Sequence, residues 1–148
     1  MNEKEYLQEL TRSIPVTSSL DIEIHQLTST GVSLKAPLNT HINYEGTAFG
    51  GSLNTLCVLA GYLSVHHMFS SKKISFDSLV IQNSSINYLK PVTKDFMARA
   101  EIQNPEKVID HFQRRSKARA ELNCTVTPLE TSQEVLCKFT ARFVISSR

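Results

Sequence analysis

The sequence predicts an α+β fold in which an antiparallel sheet of about six strands is wrapped around one long central helix. The helix is predicted from residues 43–68, which begin with turn formers and the glycines Gly46, Gly50 and Gly51, and then run apolar or small for more than a dozen residues. A helix that is apolar all round must be covered on all sides. Most of the remaining chain alternates apolar and polar residues, a pattern typical of strands with one buried face.

Composition narrows the class of protein before any motif is considered. A chain of 148 residues suits one domain, which we place at 1–148. Its 41% hydrophobic and 20% charged residues and net charge of +2 are those of an ordinary globular protein, and they argue against nucleic acid as a partner. The longest apolar run falls short of the roughly 20 residues that cross a membrane. The first fifteen residues are acidic rather than a secretory signal, so we expect a cytoplasmic protein without a membrane partner.

The three cysteines do not suggest a disulfide or a metal site. Cys57, Cys124 and Cys137 are odd in number, widely spaced and set among apolar residues. This pattern predicts reduced thiols in the core, without metal-ligand spacing.

Before the central helix, the pattern predicts a short helix and a hairpin. Residues 2–13 place apolar side chains on one side of a helix that Ile14-Pro15 ends. Alternation over 21–28 and 32–36, on either side of a turn at Gly31, predicts two paired strands. A polar loop then leads to the central helix.

After the central helix, four strands and one short helical connector are predicted. Strands are expected at 78–89, 96–103, 118–126 and 135–145. Between the second and third of these, Asn104-Pro105 predicts a helical turn with Asn104 as its N-cap. Because nothing but the sheet is available to cover the central helix, the economical arrangement is the hotdog architecture.

Four segments, in the right order, resemble the YiiD C-terminal thioesterase family of the hotdog thioesterases. They are GTAFGGSL at 46–53, LAGY at 59–62, YLKPVTKD at 88–95 and FTARFV at 139–144, and the similarity extends over nearly the whole chain. The resemblance implies hydrolysis of an acyl thioester of coenzyme A or acyl carrier protein by a homodimer or a dimer of dimers. It implies no cofactor beyond the coenzyme A or phosphopantetheine of the substrate. In hotdog enzymes the site lies between two subunits, beside the start of each central helix.

The physics of a helix start supports the same location. The first amides of a helix lack internal partners and lie at the positive end of its dipole, so they can receive a thioester carbonyl as it gains negative charge. By resemblance, Gly50 and Gly51 donate to that carbonyl and Asn43 shapes the loop or positions water. Thr47 and Asn54 are expected as polar walls of the site.

The general base is harder to place. Related enzymes have a histidine where this chain has Phe49 and a helix carboxylate where it has Val58, and these two residues are instead expected to line the acyl tunnel. A base within hydrogen-bond reach is still needed for attack by water. The remaining candidates are His41 or Glu45 in the loop, or a side chain of the facing subunit. His41 is otherwise expected to be a solvated surface residue.

Several polar residues outside the loop have more than one possible role. Asn83 and Ser84 are the expected contributions of the facing subunit. Arg114, Arg115 and Lys117 are either a solvated strand entry or a cradle for coenzyme A phosphates or an acidic carrier protein, and Lys90 joins them if the two strands are neighbours. His66 and His67 are expected to cap the end of the central helix, and Tyr88 to fill a sheet position.

Two other functions remain open on this fold. The missing helix carboxylate is compatible with a non-catalytic module that binds acyl thioesters. A hydratase or dehydratase needs a well-placed histidine and acid, which Phe49 and Val58 do not supply.

Overall fold

The computed structural model describes residues 2–148, which form three α-helices and six β-strands. In chain order these are α1 (Glu3–Ser13), β1 (Glu23–Leu27), β2 (Val32–Ala36), α2 (Gly50–Ser71), β3 (Ser78–Tyr88), β4 (Phe96–Ile102), α3 (Pro105–Arg115), β5 (Lys117–Pro128) and β6 (Cys137–Ser146). Short 3-10 turns occupy Pro15–Ser19 and Leu38–Thr40.

The six strands form one antiparallel sheet in the order β1-β2-β4-β5-β6-β3. The strand that follows α2 in the sequence, β3, therefore lies at the edge of the sheet opposite β1. With α2 against the sheet, this is the predicted α+β hotdog fold, which is confirmed.

Helix α2 supplies much of the core. Leu56, Cys57, Ala60, Val65 and Met68 are fully buried, and α2 packs against β2, β3, β4, β5 and β6. The prediction that it is wrapped on all sides is only partly right, because a stripe at every fourth residue stays half-buried. That stripe consists of Asn54, Val58, Tyr62 and His66.

Helix α1 packs near the far end of α2. The Tyr6 ring meets His66 and His67 edge-on, and its hydroxyl shares a hydrogen bond of 3.0 Å with Nδ1 of His67. The prediction that these histidines cap α2 was wrong, because the last turn is closed by the Lys72 amide, which donates to the Phe69 and Ser70 carbonyls.

Helix α3 is longer than the predicted connector. It runs for 11 residues and buries Val108, Ile109 and Phe112, and the Phe112 ring lies edge-on to Phe69 of α2. Asn104 is the N-cap residue, as predicted, but it adopts a left-handed conformation and its side chain makes no capping hydrogen bond. Because the helix continues to Arg115, the basic residues at its end do not form a strand entry.

Candidate active site

The backbone at the start of α2 is accessible to solvent. Phe49 occupies the N-cap position with an extended backbone, and no side chain within residues 2–148 caps the helix. The Phe49 amide donates to the His41 carbonyl at 2.7 Å, and the first helical bond runs from the Leu53 amide to the Phe49 carbonyl at 3.1 Å. The amides of Gly50, Gly51 and Ser52 lie within the turn that this bond closes, where a helix offers no internal acceptor. They form a set of free donors at the positive end of the helix dipole.

Asn43 builds the turn that leads to this helix start. Its Oδ1 accepts hydrogen bonds from the Glu45 amide at 2.8 Å and the Thr47 amide at 3.1 Å, and its Nδ2 donates to the Thr47 hydroxyl at 2.9 Å. Gly46 takes φ +80° in this turn, a conformation that costs glycine little. The side chain of Asn43 is thus committed to the loop, so it shapes the site rather than contacting water freely.

A cavity of about 340 Å³ opens beside Gly50. Its walls come from the loop, from α2 and from the segment that follows β3: Thr47, Ala48, Gly50, Leu53, Tyr88, Leu89, Lys90, Pro91 and Val92. The Tyr88 hydroxyl donates to the Gly50 carbonyl at 3.0 Å. Burial raises the pKa of Tyr88 above its ordinary value, so the phenol stays protonated and keeps this bond near neutral pH.

Phe49 lies over the second residue of the helix. A Cβ added to Gly51 would come within 2.5 Å of the Phe49 ring, so this ring occupies the space that a side chain would need. The Phe49 side chain nevertheless remains 59% exposed. The ring lies beside the free amides but is not part of the wall of the cavity at Gly50, so its role as a tunnel lining stays a prediction.

The two loop candidates for the base lie in very different environments. His41 is 3% exposed, its Nε2 is 2.7 Å from the Leu20 carbonyl, and its ring lies against Phe96. The expectation of a solvated His41 was therefore wrong, and since a carbonyl only accepts, the nitrogen that faces Leu20 carries the hydrogen. Glu45 is exposed, and its carboxylate accepts no hydrogen bond from residues 2–148. Of the two, Glu45 is the one available to water.

The remaining polar candidates divide between the two faces of the sheet. Ser84 pairs with the buried Ala141, whereas Asn83 pairs with Arg142. Directly opposite residues in an antiparallel pair share a face, so Ser84 lies on the α2 side of the sheet and Asn83 on the outer side. Asn54 lies one turn into α2 and Val58 one turn further, both half-buried.

Lys90 does not join the basic run, because the two strands are not neighbours, which was the condition for it. Strand β6 separates β3 from β5, and Lys90 lies in the wall of the cavity beside Gly50. Lys117 is level with Ser78, at the opposite end of β3. Arg114 is bound to Asp110 at 2.7 Å, while Arg115 and Lys117 line a separate groove between α3 and β5.

Two chemistries find no support among the described side chains. The pKa of Cys57 is raised by a hydrogen bond with Cys124 and by burial, so it is no thiolate nucleophile. Residues 2–148 contain no group of three or more His, Cys, Asp or Glu side chains that could hold a metal ion.

None of the helices over the same range has the length and apolar character that a membrane crossing requires.

Comparison with known proteins decides the family. The model of the family described as "Putative thioesterase (yiiD_Cterm)" matches residues 3–147. The chain belongs to this thioesterase family. Among curated proteins, none is similar to the chain at a significant level.

Solved structures show the same fold. A protein of unknown function from Chlorobaculum tepidum is 26% identical, with a TM-score of 0.87 over 99% of this chain and 94% of its own. A "putative thioesterase" from Shewanella oneidensis is 25% identical, with a TM-score of 0.85 over 99% and 97%. A thioesterase from Haemophilus influenzae is 19% identical, with a TM-score of 0.77 over 99% and 92%, and shares the fold.

The sequence did not indicate the contact between Tyr88 and Gly50. Tyr88 lies in a matching segment, but its alternation pattern is that of any strand residue. The contact depends on β3 lying at the sheet edge beside the start of α2, which sequence spacing does not specify.

Proposed function

We propose that this member of the thioesterase family hydrolyses acyl thioesters of coenzyme A or acyl carrier protein, with the thioester carbonyl bound at the start of α2. The supporting observation is the uncapped helix start beside a cavity of about 340 Å³. The amides of Gly50 and Gly51 have no hydrogen-bond acceptor among residues 2–148. Apart from Lys90, the walls of this cavity are uncharged, which suits an acyl chain next to a polarised carbonyl.

The reaction follows from these groups. The carbonyl oxygen accepts hydrogen bonds from the Gly50 and Gly51 amides, and a water oxygen adds to the carbonyl carbon while the base takes its proton. The tetrahedral intermediate then releases the thiolate, which receives a proton as the C–S bond breaks. Loss of one donor of this kind costs about 2.7–4 kcal/mol in acyl-transfer enzymes.

We assign the orientation of the water to Asn54 and the proton transfer to Glu45. Asn54 lies one turn from the free amides, and its side chain makes no hydrogen bond within the described chain. Glu45 is the one carboxylate of the loop that immediately precedes α2. A carboxylate with free access to water can act as a base, whereas His41 is held by Leu20.

The working unit in this proposal is a homodimer joined along β3. This strand is 11 residues long, lies at a sheet edge and exposes Val80, Ile81 and Tyr88. A long edge with exposed apolar side chains is a template for another strand. Two identical copies related by a two-fold axis pair antiparallel, which extends the sheet. The face of each β3 that carries Ser84 then lies beside the same face of the other copy's β3.

The test is release of free thiol across a series of acyl-CoA chain lengths. Gly50→Val is expected to lower kcat/KM by about a hundredfold or more, because it crowds the carbonyl site. Gly50→Ala is the matched control for folding, since its methyl would lie 3.4 Å from Tyr88, an ordinary contact. Absence of hydrolysis for every chain length, in a folded dimer, contradicts the proposal.

A second candidate is a binding module without turnover. It is favoured by the absence of a carboxylate from α2 between Gly50 and Ser71 and by the engagement of His41 with Leu20. Saturable binding of acyl-CoA with no thiol release, and no effect of Glu45→Gln on that binding, is the outcome that supports it.

A further inference from the structure

A second cavity lies far from the start of α2. It is a groove of about 700 Å³ between α3, β5 and the turn before α3. Four of its lining residues are basic: Lys107, Arg115, Lys117 and Arg119, with His111 beside them. We call these residues the basic groove.

The charges of the basic groove are not neutralised within the described chain. Its four lysines and arginines take part in none of the ion pairs formed by residues 2–148. The one acid in its lining, Glu121, is bound to Arg142 at 2.5 Å. Four unpaired cations around one recess create a positive potential that favours a ligand with several negative charges.

The shape of the basic groove favours a small molecule over a protein surface. Val108 and Ala118 are buried and form an apolar floor, while Gln103 and Asn104 add amide groups at the end. A volume of this size is in the usual range for small-molecule pockets, which combine apolar walls with a few polar groups. A purine on the floor with phosphates toward the cations satisfies both features.

The basic groove is too far from the start of its own α2 to share a ligand with it. Phe112 of α3 packs on Phe69, nineteen residues after Gly50, which is about 28 Å along the helix. The arm between the sulfur and the nearer phosphate of coenzyme A has about thirteen bonds, or about 15 Å when extended. An acyl-CoA held at Gly50 cannot place its phosphates there.

A second copy brings a basic groove much closer. Antiparallel pairing along the whole of β3 sets Ser78 of one copy opposite Tyr88 of the other. Ser78 is level with Ser146, and Ser146 with Lys117. Tyr88, which contacts Gly50, then lies three strand spacings from Lys117 of the second copy, about 14 Å. Measured along the sheet, this separation is within the length of the pantetheine arm, which must pass around the strand ends because Lys117 and Arg119 lie on the face of the sheet opposite α2.

We propose that the basic groove of one subunit binds the phosphorylated nucleotide of an acyl-CoA whose thioester lies at α2 of the other subunit. The proposal rests on the proposed function and names coenzyme A, rather than acyl carrier protein, as the carrier of the acyl group. Each active site is then incomplete in a single chain.

The first test separates nucleotide binding from catalysis. Calorimetry with adenosine 3′,5′-bisphosphate is expected to show binding that weakens with added salt and is lost in Lys117→Glu/Arg119→Glu. In the same variant the KM for acyl-CoA rises at least tenfold with kcat unchanged, while hydrolysis of acyl-pantetheine is unaffected. Lys138→Glu, an exposed cation on β6 outside the groove, is the matched control. Lys107→Glu/Arg115→Glu repeats the test from the α3 side.

The second test asks which subunit provides the basic groove. Lys117→Glu/Arg119→Glu is mixed with Gly50→Val, and exchange into mixed dimers is verified by native mass spectrometry. Binding across the interface gives each mixed dimer one intact site, so activity below KM recovers to about one quarter of wild type after random exchange. No recovery in verified mixed dimers means that a groove does not serve the other subunit, which overturns the proposal.

The outcomes distinguish this proposal from the function on which it rests. Hydrolysis of acyl-CoA with an unchanged KM in both groove variants overturns the groove assignment and leaves the thioesterase in place. Nucleotide binding that the groove variants abolish, without any hydrolysis, overturns the thioesterase and leaves the nucleotide site. A defect confined to acyl-carrier-protein substrates overturns the assignment to coenzyme A.

Discussion

Replacement of Gly61 by alanine tests how closely α2 packs on the sheet. A Cβ at this position would lie 3.0 Å from both methyl carbons of Leu122 and 3.1 Å from the Phe143 ring. In an open helix the change from glycine to alanine stabilises by about 1 kcal/mol. Overpacking of a filled core costs about 1–3 kcal/mol, so Gly61→Ala is expected to lower the free energy of unfolding by up to about 2 kcal/mol.

A second mutation reverses the sign of this effect. Leu122→Ala alone should cost about 2–5 kcal/mol through the cavity it leaves. In that background the new methyl group of Gly61→Ala enters the space that Leu122 has vacated. The higher helix propensity of alanine then contributes to the free energy of unfolding without a clash with Leu122. Gly61→Ala should then be neutral or stabilising by about 1 kcal/mol.

Urea unfolding of the wild type, the two single variants and the double variant gives the coupling energy. The expected coupling is up to about 3 kcal/mol, because the two side chains compete for the same volume. If Gly61→Ala stabilises the wild type by its full helix propensity, α2 does not approach the sheet as closely as the packing around Leu122 indicates.

Three further predictions concern single contacts. Tyr88→Phe keeps the ring but removes the hydroxyl bound to the Gly50 carbonyl, so kcat for thiol release should fall severalfold with KM little changed. An unchanged kcat would show that this bond does not position the helix start. Ser64→Ala removes the buried hydroxyl that accepts the Val32 amide at 2.9 Å, and urea unfolding should show a loss of about 1–3 kcal/mol. Burial lowers the pKa of His66, so the unfolded chain binds a proton at this histidine more readily than the folded chain does. The free energy of unfolding should therefore reach its full value above about pH 6.5 and fall below that pH, and His66→Phe should flatten the pH dependence of the melting temperature.

The elements with a strong local pattern were predictable from the sequence. The run after Gly50 and Gly51 lacks charge and breaks only at Ser70–Lys73, so the length of α2 could be predicted. The alternation in β5 and β6 likewise indicated their buried faces. Local periodicity carries this information because it reflects which side chains face the core.

The features that depend on distant partners could not be predicted. His41 lies in a polar loop, but its burial follows from the Leu20 carbonyl, twenty-one residues earlier in the chain. The length of α3 was missed because its basic end, Arg114-Arg115, resembles a strand entry in sequence, whereas the left-handed Ser116 ends the helix only after them. The position of Lys90 required the order of the strands, which periodicity does not contain.

The hydrogen bond between Tyr88 and Gly50 has a consequence for measurements on this protein. One residue belongs both to the strand edge that we assign to assembly and to the wall of the cavity at the helix start. A change in the position of Tyr88 at the edge strand therefore acts directly on the first residue of α2. Specific activity should decline on dilution in parallel with the fraction of dimer, so kinetic constants for this chain carry meaning only alongside the protein concentration at which they were obtained.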